Sequence, residues 1–93
     1  MIKVEGHKLF RGGEEIGYVE DEHIIDHAGR KAGYYSSDHV YDREGHKVAH
    51  IEGDYIYLSD SGHKIRIEDN NEDVIGGSLT NIQRAAARLL LGE

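Results

Sequence analysis

Residues 39–54 read "HVYDREGHKVAHIEGD", and the four residues Asp42-Arg43-Glu44-Gly45 decide how the rest is understood. Asp at the first position of a turn accepts hydrogen bonds from the turn's own backbone. Gly at the fourth enters the left-handed region that closes a type I turn into a strand with a G1 bulge. The flanks "HVYD" and "KVAHI" are rich in β-branched and aromatic residues, as strands require. The stretch is therefore a hairpin: strand, tight turn, strand.

The preceding residues 23–38, "HIIDHAGRKAGYYSSD", have the same layout, with Asp26 and Gly29 at the turn. Counting sixteen residues from His39 leads forward to Tyr55 and back to His23 and His7. The four units begin "HKLFRGGEE", "HIIDHAGRK", "HVYDREGHK" and "YIYLSDSGHK", the last carrying one extra residue before Gly62. Repetition at a fixed period means that units unable to bury an apolar face alone pack on one another. Small residues recur in the second strand at Gly17, Gly33 and Ala49, while Arg66 breaks the pattern. Small side chains suit backbones meeting around a shared axis, and closure would remove exposed sheet edges. The expected fold is mainly β with one C-terminal helix. Four antiparallel β-hairpin repeats of about 16 residues surround a pseudo-four-fold axis. One domain spans 1–93, with repeats over 7–70, turns at 11–14, 26–29, 42–45 and 59–62, and the helix over 78–91.

In "IIDHAGRKAGYY", "VYDREGHKVAHI" and the neighbouring units, over roughly residues 7–68, the chain resembles the small bacterial β-flower proteins, in which four hairpin petals surround a pseudo-four-fold axis. "YDREGHKVAHI" is also similar to the YD-type repeats of large bacterial surface and toxin proteins, whose units are longer. Neither resemblance implies a catalytic residue.

The tail "SLTNIQRAAARLLLGE" changes period. Leu79, Ile82, Ala86, Leu89 and Leu90 share one face at 3.6-residue spacing, with Arg84 and Arg88 opposite. Ser78 suits the N-cap and Gly92 the stop. This helix is expected to cap the apolar face of the hairpins. Leu91 lies off the stripe, so Leu89, Leu90 and Leu91 form the expected interface of a homo-oligomer paired through the helix.

Composition narrows the function. The chain has 93 residues and no cysteine, which removes disulfides and thiolate metal sites. No apolar run has the length of a membrane span, and "MIKVEGHKLF" lacks a signal-peptide layout, so the expected location is cytoplasmic. A formal charge of -7 argues against direct binding to nucleic acid or to anionic membranes. Twelve glycines and no proline indicate many tight turns.

Seven histidines draw attention to chemistry. His7, His23 and His39 open their units and Tyr55 completes the set. On a closed ring of small radius these four would converge as ligands for a divalent metal, the only cofactor the sequence suggests. Arg30, Lys31, His46, Lys47, His63 and Lys64 follow the turns as a recurring basic spot suited to an anion. Six tyrosines serve either as filler between hairpins or as a stacking platform. The sequence lacks a nucleophile elbow, a P-loop and a dinucleotide fingerprint. The expected function is a non-enzymatic module acting through protein contacts. The alternatives are a ligand- or metal-binding protein built on the His/Tyr ring, and an acidic inhibitor of a nucleic-acid-binding protein.

Overall fold

The structure, a computed structural model, describes residues 1–92. Nine strands follow one another as an antiparallel meander: β1 (Ile2–Glu5), β2 (Lys8–Arg11), β3 (Glu14–Glu20), β4 (His23–Asp26), β5 (Lys31–Ser36), β6 (His39–Asp42), β7 (Lys47–Glu52), β8 (Tyr55–Leu58) and β9 (Lys64–Arg66). Helix α1 (Ile67–Glu72) then carries the chain back to β10 (Val74–Ile75), which pairs in parallel with β1. Helix α2 (Asn81–Leu91) ends the fold.

Two kinds of turn alternate along the meander. At one end, the Asp26 carboxylate accepts from the backbone N–H groups of Ala28 (2.9 Å) and Arg30 (3.0 Å), and Gly29 takes φ 83°. Asp42 does the same for Glu44 and His46, with Gly45 at φ 88°. Gly62, at φ 74°, closes the fourth turn by donating its N–H to the Leu58 carbonyl. At the other end, two-residue turns such as Asp21-Glu22 and Ser37-Asp38 start on a residue with positive φ, 55° at Asp21 and 56° at Ser37. The joints between units are thus hairpins too, and each strand from β2 to β8 pairs with both its sequence neighbours.

The first three units each carry a bulge at one site: Ile16, Ala32 and Val48 are the extra residues between paired neighbours. A bulge sharpens the twist and bends its strand, so its regular recurrence curls the whole sheet. Ten strands laid flat at about 4.8 Å spacing would span about 43 Å. The longest dimension is only 32 Å. Helix α1 touches both β9 and β10 and bridges the gap between the two edges.

Helix α2 lies inside the curl. Ala85, Ala86 and Ala87 are all fully buried, and consecutive residues point 100° apart, so the helix is enclosed on more than one side. It lies against β3, β4, β5, β6, β10 and α1. The sheet supplies Ile2, Val4, Leu9, Val19, Ile24, Val40 and Ile56 to the same core. Close approach is possible because the sheet has no side chain where the helix end meets it. A Cβ on Gly33 would lie 2.7 Å from Leu90 Cδ1 and 2.3 Å from the Tyr41 carbonyl oxygen. A Cβ on Gly17 would lie 3.1 Å from Leu91 Cδ1. Thr80 caps the helix in a reciprocal box with Gln83, and the Gln83 amide also donates to the Tyr35 hydroxyl at 2.8 Å. The Tyr35 hydroxyl in turn donates to the Asp21 carbonyl, also at 2.8 Å. This chain of bonds ties the start of α2 to a hairpin turn.

The mainly β class and the C-terminal helix hold, while the finer arrangement differs from expectation. The units do not stand as four separate petals about a four-fold axis, because hydrogen bonds run continuously from β1 to β9. The described residues form two helices, and α1 begins at Ile67, so the repeats end at Arg66 instead of residue 70. The C-terminal helix is capped at Thr80, not Ser78. Arg84 and Arg88 bind groups within the chain. Arg84 donates to the Gly76 (2.9 Å) and Leu79 (3.1 Å) carbonyls, and Arg88 pairs with Asp73 at 3.2 Å.

Replacing Gly33 with Ala forces its Cβ against a carbonyl that the ladder holds in place. Overpacking of this kind costs about 1–3 kcal/mol, and the expected result is a clear drop in the thermal midpoint of Gly33→Ala. An unchanged midpoint would show that the Tyr41 carbonyl and Leu90 do not crowd this position.

Candidate functional site

Alternation along each strand sends one set of side chains to the core and the other outward. On β4 to β8 the outward set is unusual in its rings: beside Ile25, Ser36 and Glu52 it holds His23, Tyr34, Tyr41, His39, His50, Tyr57 and Tyr55, all seven half-buried. These residues form a continuous aromatic and imidazole band across the convex face. Tyr34 and Tyr41 stack with ring centroids 4.9 Å apart, and His50 and Tyr57 stack at 5.2 Å. The second pair lies sixteen residues beyond the first, so the repeat itself generates the stacking. Tilted contacts join the pairs: His23–Tyr34 at 6.3 Å, His39–Tyr41 at 6.2 Å, His39–His50 at 5.9 Å and Tyr55–Tyr57 at 6.3 Å. At the far end the Lys64 ammonium sits 4.3 Å from the centre of the Tyr55 ring, an arrangement favoured by the ring quadrupole.

Charge is arranged around the band. The two-residue turns at one border carry Asp21, Glu22, Asp38 and Asp54, next to Glu20 and Glu52 at the strand ends. The opposite border carries Lys31, Lys47 and Lys64 at the starts of β5, β7 and β9. These lysines share their turns with Asp26, Asp42 and Asp60, so the acidic border has the larger excess of one sign.

The expected metal set is not assembled. His23, His39 and Tyr55 open β4, β6 and β8, strands that are separated by one intervening strand each, about 9–10 Å between alternate strands. His7 is not equivalent to them. It lies in the turn between β1 and β2, and Lys8 occupies the structural position of His23, pairing with Tyr18 as His23 pairs with Tyr34. The first unit's turn is shorter, which displaces the count by one residue. Ligands of one ion cannot be spread in this way.

Among the described residues, Asp42, Glu44 and His46 form the one group of three donors within 4.8 Å of one another. Both carboxylates lie near His46 Nδ1, at 3.5 and 3.7 Å. They turn this basic spot toward its own carboxylates and away from an external anion. Asp42 is also committed to the turn. The hydrogen bond from the His46 backbone N–H is the largest influence holding its pKa below the ordinary 3.8. Partial loss of water works the other way, and the Glu44 N–H adds to the lowering. Asp26 is lowered in the same manner, chiefly by the Arg30 N–H.

Tyr35 is the one tyrosine of the six inside the core, and the rest lie outside it, so the platform reading of the tyrosines describes their placement better than filler does. Leu90 and Leu91 are used within the chain, against Gly33 and Gly17. Leu91, expected to point to a neighbour, is partly buried and has this contact within the chain. Leu89 borders an open cleft with Val48 and Leu58. No helix among the described residues is long and apolar enough to cross a membrane. Comparisons with protein-family models, curated proteins and solved structures return no match for this chain.

A depressed carboxylate pKa stabilises the fold above the unfolded value and loses that contribution as pH falls through the folded one. Stability conferred by Asp26 and Asp42 is therefore present above about pH 4 and disappears under more acidic conditions. Asp42→Asn should melt lower than the native chain at pH 7, and the two should converge as the pH falls through the lowered pKa of Asp42. A constant gap across that range would exclude the carboxylate's charge as the cause.

Proposed function

We propose that the chain is a non-enzymatic module that acts through protein contacts, and that the convex aromatic band is its contact face. The observation that carries this is the band itself: seven half-buried aromatic and imidazole rings in mutual contact on a rigid sheet. Tyrosine is enriched at the energetic centres of protein interfaces because it buries a large rigid area while its hydroxyl stays paired. A sheet pinned from behind by α2 presents these rings with little conformational freedom left to lose on binding. The acidic border favours a partner whose contact surface carries an apolar centre and a basic edge. The hairpin resemblance assigns no residue a role in this contact.

The second reading, an acidic inhibitor occupying a nucleic-acid-binding surface, shares the basic partner and draws on the same border. It differs in where the binding energy lies. Stacked rings dominate the first, and the carboxylates dominate the second.

The two readings separate by mutation. A photoreactive phenylalanine at position 41 or 57 should give discrete protein adducts in an extract of the source cells. With the captured partner purified, Tyr41→Ser and Tyr57→Ser should each weaken binding about tenfold, matching about 1.4 kcal/mol at an interface hot spot. Charge reversal at Glu20 and Glu52 with the tyrosines intact would have the larger effect if the acidic reading held. Full affinity in both tyrosine variants would remove the band from the contact.

A further inference from the structure

We propose that His39 and His50 form a two-imidazole site for a divalent transition-metal ion at the centre of the convex band. The two residues are direct cross-strand partners on β6 and β7. The Ile51 N–H donates to the Asp38 carbonyl at 2.8 Å, one step outside the pair, which makes His39 and His50 a non-hydrogen-bonded pair. In such pairs the Cα atoms are only about 4.5 Å apart and the side chains run closest together. Their ring centroids lie 5.9 Å apart with planes at 32°.

That spacing matches chelation. Imidazole nitrogens about 2.0–2.1 Å from one ion place the two ring centroids roughly 5–6 Å apart, depending on the ligand angle. Glu52 joins the donor set only by swinging inward: its carboxylate lies 3.6 Å from His50 Nε2, and 77% of its side chain is exposed. Imidazole nitrogen with a carboxylate oxygen suits Zn²⁺, Cu²⁺ or Ni²⁺ and not the hard oxygen-seeking ions. The equivalent pairs in the other units are Lys8 with Tyr18, His23 with Tyr34, and Tyr55 with Arg66. Only the third unit places two imidazoles face to face. Two or three protein ligands leave coordination positions open to water or to a donor from outside, so this is an incomplete site on a surface and not a closed structural one.

The turn cluster of Asp42, Glu44 and His46 is the alternative place for such an ion, at the other end of the same β6–β7 hairpin. The test must separate the two. The native chain, His39→Gln with His50→Gln, and His46→Gln are titrated calorimetrically with ZnCl₂ and separately with CuCl₂, after thermal melting shows each to be folded. The expected result is one ion per chain, affinity reduced at least tenfold in the His39/His50 double variant, and no change in His46→Gln. Copper bound to the native chain should show nitrogen superhyperfine structure from two imidazoles, and the double variant should lose it. Equal affinity in the double variant overturns the proposal. Loss in His46→Gln with retention in the double variant moves the ion to the turn and overturns it as well. Absence of binding at millimolar metal does the same.

Discussion

The close approach of α2 to the inner face of the sheet is the contact on which the remaining structure depends. A hairpin repeat has no core of its own, since two strands bury too little apolar surface to be stable in water. Curling the sheet creates an inner face but also a space that must be filled. Three consecutive alanines fill it from the helix side, and Gly17 and Gly33 admit Leu91 and Leu90 from the sheet side. The repeat position they occupy then grows in size around the curl. It is Gly on β3 and β5, Ala49 on β7, and Ile65 on β9, each opposite an apolar partner on the preceding strand. The side chain lengthens as the strand moves away from the helix end.

Filling the inside has a consequence outside. With α2 consuming the inner positions, aromatic residues have little room in the core, and Tyr35 is placed there with both its hydroxyl partners satisfied. The other tyrosines fall on alternate positions and go outward. Once outside, the sixteen-residue period sets the second-strand residue of one unit against the third residue of the next, which puts Tyr34 on Tyr41 and His50 on Tyr57. Each cross-strand pair adds about 0.2–1 kcal/mol to the sheet, so the rings stabilise the fold and supply its contact face together.

Much of this was legible in the residues. Asp26, Gly29, Asp42, Gly45 and Gly62 act in the turns as their chemistry requires, because a turn is decided within four or five residues. The apolar period after Thr80 marks a helix for the same local reason. The repeat count misplaces one residue, since a single missing residue in the first turn puts Lys8, and not His7, in the position of His23. In the fourth unit the extra turn residue is offset by the absent bulge, which keeps Ile65, and not Arg66, in the repeat position. Such compensations are visible only when strands are paired. Helix α1 and β10 had no local signal strong enough to read, because "IEDNNEDVI" owes its structure to the gap between two sheet edges and to Arg84 and Arg88 reaching across from α2.

The same distinction separates the four-fold ring that the repeats suggest from the curled sheet that the chain forms. Turn chemistry identifies hairpins but not what lies between them. The joints "SSD" and "EGD" are as polar as a loop between separate petals would be, yet Ser37 and Gly53 with positive φ make them two-residue turns. A turn of that length leaves the adjacent strands no distance to separate, so they pair. Radial separation would need a longer connection at every joint. The length of the joints, more than the chemistry of the repeats, therefore selects a continuous sheet. That continuity sets Tyr34 on Tyr41 and His50 on Tyr57 across the joints and so assembles a band of rings that isolated petals would have kept apart.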